Sequence, residues 1–343
     1  MAVPVAGGID YSSLLMLLAD GRLHSGAELA KQLGVSRAAI WKCIDRLRQR
    51  GVEVNAVPRR GYSLPAAVEL LDEARIRAAL PASSAARLRK FELLFDVDST
   101  NGRLLSAGPP PYGWGDVVLC ELQHAGRGRR GRLWVAPFGA SLALSLGWAF
   151  DGAARTSPTL SLCVGVAVVR ALTRAGARGI GLKWPNDLWL DDCKVGGVLL
   201  ELRAEASGPA YVVIGVGLNV SLAAAAREEI ETMGGSRADY RVAAVADACA
   251  EPPSRNFIAG AIIHELLSML ADFERSGFAA FVDAWTALDV LRDRPSRIAT
   301  DATTVSGIAR GVTLEGNLRL ERDGQMLEFV SGEVSLRPAG DDI

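Results

Sequence analysis

The sequence predicts an α/β protein, of the α+β type, in three parts: an N-terminal winged helix-turn-helix, a central mixed β-sheet with helices on one face, and a small C-terminal β-barrel. Three observations predict it. Short helical periods and an arginine-tipped hairpin fill the N-terminal end, apolar strand-like runs alternate with helical ones through the middle, and short alternating segments punctuated by glycine close the chain. At 343 residues with 49% hydrophobic side chains, the chain is long for one domain and has ample core. The divisions fall at residues 1–65, 66–288 and 289–343.

Residues 12–19 read as a short apolar helix stopped by Asp20-Gly21. Ser25, with Glu28 three residues on, is a capping box for a second helix that ends at Gly34. A third follows Ser36, its Ile40, Cys43, Ile44 and Leu47 recurring at i, i+3, i+4 and i+7 as a buried stripe. The tight Gly34-Val35-Ser36 turn makes residues 36–49 a recognition helix, with Arg37, Trp41, Lys42 and Asp45 on its outer face. Val52, Val54 and Ala56, then Pro58-Arg59-Arg60-Gly61, then Tyr62 and Leu64 form a hairpin, the wing. Arg37, Lys42, Arg59 and Arg60 fall where phosphate contacts belong, with Trp41 beside them. A helical domain used only for protein contacts is the competing reading.

Residues 65–80 read as a linker and an amphipathic helix. Apolar strands follow at 117–122, 142–148, 180–183, 195–202 and 211–220, with a helix at 161–175 between the second and third. Hairpin connections at 185–187 and 191–192 favour a largely antiparallel or mixed sheet. Residues 223–250 are alanine-rich, a helix plus surface loop; 256–288 make one or two helices with Leu266, Leu267, Leu270 and Phe273 inward. The segments 305–309, 318–321, 326–329 and 333–337, separated by Gly311, Gly316, Gly324 and Gly332, make the barrel.

The formal net charge is −1, so nothing global demands nucleic acid and any DNA contact must come from a local cluster. Five cysteines without a CxxC pair or companion histidines imply reduced thiols in a cytoplasmic protein and no structural zinc site. The apolar runs 141–150 and 160–169 are too short to span a bilayer, and residues 1–8 lack the features of a signal peptide. The expectation is a protein of the cytoplasm without a membrane partner.

The heptad at residues 126–132, GRGRRGR, carries the chemistry. Its glycines let backbone N–H groups approach an anion, and its planar guanidinium groups fork onto phosphate oxygens, so the loop should be mobile until it closes over one. A site of arginine, glycine, lysine and asparagine, with no suitably placed serine–histidine pair and no metal-ligand cluster, suits stabilising charge on phosphates: phosphoryl or nucleotidyl transfer. Only five of 38 basic residues are lysines, and two, Lys183 and Lys194, fall in the central hairpin. Lys183 is therefore the sharpest single clue, a compact ammonium in a chain that otherwise prefers arginine. Gly196-Gly197 inside a strand marks either a ligand pressed on the backbone or a bulge. Asn219, at a strand end, is a buried amide in need of a partner, either a nucleotide or a loop carbonyl.

Together Asp98-Ser99-Thr100-Asn101, Gln123, the heptad, Trp134 with Pro137 and Gly139, Lys183-Trp184-Pro185-Asn186-Asp187, Lys194-Val195-Gly196-Gly197 and Gly215-Val216-Gly217-Leu218-Asn219 resemble the biotin protein ligases. With the N-terminal module, the likeness extends over roughly residues 14–337 to the bifunctional subfamily, whose members are also DNA-binding repressors. The resemblance implies that biotin's carboxylate attacks the α-phosphate of ATP, accompanied by Mg²⁺, and that biotinyl-5′-AMP is held until a carrier lysine attacks it. It places Ser99, Thr100, Asn101 and Gln123 on the ureido ring, Arg127, Gly128 and Arg129 over the carboxylate and phosphate, and Gly196-Gly197 against biotin. Arg130 and Arg132 would assist the triphosphate, Trp134 and Asn219 border adenine and ribose, and Lys183 with Arg129 act catalytically. Asp187 would hold magnesium or cap the Pro185 turn. The acceptor is a separate biotin carboxyl carrier protein, because none of the five methionines is followed by lysine. Operator DNA and a homodimer loaded with biotinyl-AMP are the implied regulatory partners, and the C-terminal barrel would be SH3-like. One motif departs: Gly311-Val312-Thr313 stands where the family has G-[IV]-D. A lipoate-type ligase of the same fold, or a metabolite sensor without transfer activity, are the alternatives.

Overall fold

In the computed structural model, which describes residues 10–150, 159–203, 210–233, 241–299, 304–330 and 335–338, local capping chemistry sets the N-terminal helices. Helix α1 (Tyr11–Leu18) starts one residue earlier than the sequence reading placed it, because the Asp10 carboxylate accepts from the backbone N–H groups of Ser12 and Ser13 at 3.3 Å. Ser25 caps α2 (Gly26–Gln32) through Glu28 N at 3.1 Å. That helix ends in a Schellman turn: Gly34 sits at φ 67°, Gly34 N donates to Lys31 O and Val35 N to Ala30 O. Ser36 caps α3 (Arg37–Gln49), which buries Ile40, Cys43, Ile44 and Leu47 and leaves Arg37, Trp41 and Lys42 exposed. Strands β1 (Asn55–Val57) and β2 (Gly61–Ser63) form the wing, with exposed Arg59 and Arg60 at its tip. The wing is pinned by His24 and Tyr62, which exchange two backbone hydrogen bonds of 2.9 Å.

After α4 (Glu73–Ala78) and α5 (Ala82–Ala85), the central sheet is built from β3 (Leu88–Val97), β4 (Gly115–Gln123), β5 (Ser141–Phe150), β6 (Gly181–Lys183), β7 (Asp187–Leu190), β8 (Cys193–Arg203) and β9 (Ala210–Asn219). Their order is β3-β4-β5-β9-β8-β7-β6, with β10 (Arg241–Val242) on β8. The β3–β4 and β8–β10 pairs are parallel and the rest antiparallel, the mixed sheet that the sequence predicts. The β7–β8 hairpin turns on Asp191 and Asp192, both at positive φ. One face packs on α7 (Leu160–Arg174) and α9 (Arg255–Ser276), where Leu142, Leu144, Leu146, Val212, Ile214 and Val216 meet Val164, Val168, Ile262 and Leu266 in one apolar cluster. By length and composition α9 could cross a membrane, but it is largely buried in this core.

Strand β3 and helix α6 (Thr100–Ala107) are among the elements beyond the sequence reading, as are α5, β10 and the strand at 295–299; α6 packs on the opposite face through Leu104 against Val118, Tyr211 and Val213. The long helices share one face and this short one occupies the other. Among the described residues, helices α8 (Ala224–Met233) and α10 (Val282–Leu288) complete the α elements. The C-terminal strands β11 (Pro295–Ala299), β12 (Thr304–Val312), β13 (Leu318–Arg322), β14 (Gln325–Phe329) and β15 (Ser335–Pro338) form one antiparallel sheet in the order β14-β13-β12-β11-β15. The expected strand at 333–337 lies partly outside the described residues, as do 234–240 of the alanine-rich stretch.

Where α10 passes to the barrel, Val290 N donates to Leu182 O at 3.0 Å and the Asp289 carboxyl is tucked beneath. One of its oxygens accepts from Leu291 N; the other is buried with no partner. Burial pushes its pKa up to about 6 from 3.8. The protonated form is thus favoured by folding, so the stability it lends is full below about pH 4 and is lost as pH rises through 6. Relative to the wild type, Asp289→Asn should gain on the order of 2–3 kcal/mol between pH 4 and pH 7, read from paired denaturant melts. A pH-independent difference would show that the carboxyl titrates normally.

Candidate active site

The site begins with a helix cap. Ser99 Oγ accepts from Gly102 N at 3.3 Å, starting α6 so that Thr100 and Asn101 point down into the sheet, each 4% exposed. Gln123 Oε1, at the end of β4, accepts from Thr100 N (2.9 Å) and Thr100 Oγ1 (3.1 Å). Ser145 on β5 lies 2.7 Å from Thr100 Oγ1 and donates to Asn101 Oδ1 at 2.5 Å, while Asn101 Nδ2 donates to Glu201 Oε2 at 2.8 Å. Gly215 makes room for this network: a Cβ there would stand 2.5 Å from Asn101 Oδ1. The result is a rigid, buried polar floor with donors and acceptors fixed in place.

Over it closes the heptad, folded as a small hairpin. Gly128 N donates to Arg132 O (2.8 Å) and Trp134 N to Gly126 O (2.9 Å), with Arg130 at φ 57° on the tip. Arg127 pairs with Glu201 at 3.0 Å, and Arg129 donates to Asn186 Oδ1 at 3.1 Å. The Trp134 indole packs against Gly217, where a Cβ would meet it at 2.6 Å, and its buried N–H has no partner. Burial holds the Arg129 guanidinium below its usual pKa; Asp187 opposes this, and neighbouring Arg130 and Arg132 add to it.

One cavity collects Ser99, Thr100, Asn101, Gln123, Arg127, Gly128, Arg129, Arg130, Arg132, Trp134, Lys183 and Gly197. Among the described residues six cations line it, Lys194 being the sixth, against a single lining carboxylate, Asp187. Asp187 neither caps the turn nor stands open: its Oδ1 pairs with Lys194 Nζ at 2.8 Å. The Lys183 ammonium lies 3.8 Å from the centre of the Trp189 ring. Two expected residues are not brought to the cavity. Gly196 is demanded by packing, since a Cβ would stand 2.4 Å from Gly217 O, and Asn219 donates to the Ala243 carbonyl at 3.2 Å while its Oδ1 stays unpartnered. A serine–histidine contact does exist, Ser84 Oγ to His264 Nδ1 at 2.6 Å, but it is packed between α5 and α9, away from the cavity.

Sequence reasoning missed Ser145, Asn186 and Glu201 as parts of the site. Their signal is a polar side chain set within an apolar strand or its turn. The five cysteines are free thiols, as expected, and burial raises those of Cys43, Cys120 and Cys163.

This combination of fold and cavity defines a biotin/lipoate-type protein ligase. The Biotin/lipoate A/B protein ligase family matches residues 97–219, an HTH domain matches 12–63, and the Biotin protein ligase C terminal domain matches 297–337. The bifunctional ligase/repressor BirA of Escherichia coli is 38% identical over 326 residues, 95% of this chain and 97% of that one. Its Bacillus subtilis counterpart is 31% identical, covering 93% and 95%, and the biotin–[acetyl-CoA-carboxylase] ligase of Mycobacterium tuberculosis is 32% identical, covering 77% and 95%. The biotin protein ligase of Aquifex aeolicus, solved with biotin and ATP, shares the fold with a TM-score of 0.60 at 24% identity, over 73% of this chain and 100% of that one. The chain belongs to the biotin protein ligase family, in its bifunctional, helix-turn-helix-bearing branch.

A cavity this rich in cations should bind a simple polyanion. Inorganic pyrophosphate is expected to raise the melting temperature in a salt-sensitive manner. Arg129→Ala should weaken its binding by roughly tenfold or more, the scale of one charge-assisted contact. Equal affinities by calorimetry would remove Arg129 from the anion site.

Proposed function

We infer that the protein is an ATP-dependent biotin–[acetyl-CoA-carboxylase] ligase that forms biotinyl-5′-AMP and passes biotin to a lysine of a biotin carboxyl carrier protein, and that it also represses transcription in response to biotin. The observation that carries the reading is a buried floor of hydrogen-bonding groups roofed by four arginines. A ureido ring needs both donors and acceptors, which Ser99, Thr100, Asn101 and Gln123 offer; a lipoyl chain needs only apolar walls. The arginines and lysines take the carboxylate and the triphosphate. Trp134, with its unpartnered N–H, borders the nucleotide, while the Asn219 amide is engaged with the Ala243 carbonyl outside the cavity lining.

Attack of the carboxylate on the α-phosphate brings like charges together, and fixed cations lower that barrier. The family resemblance makes Lys183 a first candidate to bridge the carboxylate and the α-phosphate. Lys194 is the second, and its ammonium pairs with Asp187, a cavity residue, whereas that of Lys183 lies over Trp189. Magnesium would neutralise part of the triphosphate charge. Among the described residues no cluster of three acidic, cysteine or histidine ligands exists, so the ion would ride chiefly on phosphate oxygens with Asp187 as the nearest carboxylate. Residues 1–65, 66–288 and 289–343 are the proposed domains, the cytoplasm the proposed compartment, and a dimer loaded with biotinyl-AMP the proposed DNA-binding form.

Biotin-dependent ATP–pyrophosphate exchange tests the ligase. Lys183→Ala should leave biotin binding near normal and lower exchange at least about a hundredfold, the scale for one electrostatic transition-state contact. If Lys183→Ala stays within threefold of wild type while Lys194→Ala falls, the bridging role is that of Lys194.

A single winged helix with about four phosphate contacts binds DNA weakly at cellular salt, so repression requires two copies on a two-fold operator. Protein loaded with biotinyl-AMP should bind a palindromic site near biotin-synthesis genes far better than ligand-free protein, and an Arg59→Ala, Arg60→Ala variant should show a shallower salt dependence. A footprint that fails to appear upstream of those genes would leave the N-terminal module without an operator.

A further inference from the structure

We propose that the β12–β13 turn of the C-terminal barrel is a positioning element of the active site, acting through Trp184; the proposal rests on the ligase reading. Trp184 is 2% exposed, and its indole N–H donates to the carbonyl of Gly316 at 3.0 Å. Both partners are buried, so losing either would strand a polar group away from water. Trp184 lies between two cavity residues, Lys183 and Pro185, in the turn whose next residue, Asn186, receives Arg129 from the roof. The barrel thus holds the floor of the cavity at the point where the heptad docks.

The turn is built for this contact. Thr313 N donates to Asn317 O at 2.8 Å and Gly316 N to Thr313 O at 3.0 Å. The Thr313 hydroxyl accepts from Glu315 N (3.2 Å) and Asn317 N (3.3 Å), the side-chain-to-backbone closure that an aspartate makes in an Asx turn. Thr313 therefore does in this chain what an acidic residue would do at the same place. Gly316 is at φ +84°, and a Cβ there would come 2.9 Å from Thr159 Cγ2 and 3.3 Å from Leu162 Cδ1, so the turn is pressed against the start of α7 with only a glycine's clearance. A loosened turn would move the Gly316 carbonyl, and Trp184 with it.

Thr313→Val removes the acceptor and keeps the shape; Thr313→Asp restores an acceptor. In pyrophosphate exchange the valine variant should lose roughly tenfold in kcat with the biotin KM within about twofold, and the aspartate variant should recover to within about twofold of wild type, the pattern of displaced geometry rather than lost binding. A second readout does not depend on activity. In protein labelled with ¹⁵N-tryptophan, the Trp184 indole resonance, identified by its loss in Trp184→Phe, should exchange with solvent at least about tenfold faster in the valine variant and normally in the aspartate variant. Unchanged indole protection in Thr313→Val overturns the proposal, as does faster exchange with an unaltered kcat. Should Thr313→Val not fold, Trp184→Phe takes its place in the kinetic comparison, and a kcat equal to wild type overturns the proposal. Wild-type protein without biotin-dependent exchange would refute the ligase reading alone, and the indole measurement would still decide whether the turn holds Trp184.

Discussion

Like charges crowded into one partly desolvated cavity are the constraint on which the rest of the structure depends. Arg127, Arg129, Arg130 and Arg132 stand within seven residues of chain, and Lys183 and Lys194 approach from the sheet below. Left to itself such a cluster would spread into water, where its charges are screened. Two devices hold it. Carboxylates and amides are placed to receive individual cations, Glu201 for Arg127, Asn186 for Arg129 and Asp187 for Lys194. Glycines at 102, 126, 215 and 217 remove the side chains that would keep the loop, the helix and the sheet apart; at Gly102 a Cβ would stand 2.9 Å from Arg127. Among the described residues the cavity lining itself thus carries six cations against one carboxylate.

The same loop stands close to the DNA-binding module. Arg50, at the end of α3, donates to Asp96 on β3 at 2.8 Å, and the same Asp96 oxygen meets His124 Nε2 at 3.2 Å, one residue beyond Gln123. Burial alone would raise the Asp96 pKa; hydrogen bonds from Arg50 and His124 outweigh it and hold it below the usual value. Tyr11 stacks on Phe95 with centroids 5.1 Å apart, and Leu122 of β4 belongs to the apolar cluster of the N-terminal helices. The strand that delivers Gln123 to the cavity therefore shares its core with the recognition helix. A displacement at the cavity edge has a packed route, rather than a flexible linker, toward α3.

How far this was legible in the sequence depended on whether each residue's role is local. Ser25, Gly34 and Ser36 declare their helices because capping is decided within four residues, and Asp191-Asp192 declares a hairpin for the same reason. Strand β3 was hidden because charges interrupt its apolar pattern along half-buried positions, and α6 because Asn101-Gly102 are poor helix formers that tertiary packing overrides. Glu201 and Ser145 could not be read as site residues without α6, since only that helix makes their face of the sheet functional. The Gly196-Gly197 pair shows the limit most plainly: neighbours on a strand face opposite sides, and only the register with β9 sends Gly197 to the cavity and Gly196 against the Gly217 carbonyl.

Register also explains why the cavity lies where it does. The β4 end brings Gln123 up beside the N-terminal module, the β6–β7 turn brings Lys183 and Asn186 up beside the barrel, and β8 with β9 supplies Glu201, Gly215 and Gly217 between them. Each wall is thus fastened to a different part of the chain, while α7 and α9 close the far face of the same sheet with an unbroken apolar core. A rigid sheet allows α9 to be apolar enough to resemble a membrane segment, because most of its length is buried against that face. The cavity lies on the opposite side, where one short helix is capped by Ser99 and lines the cavity with its first turn.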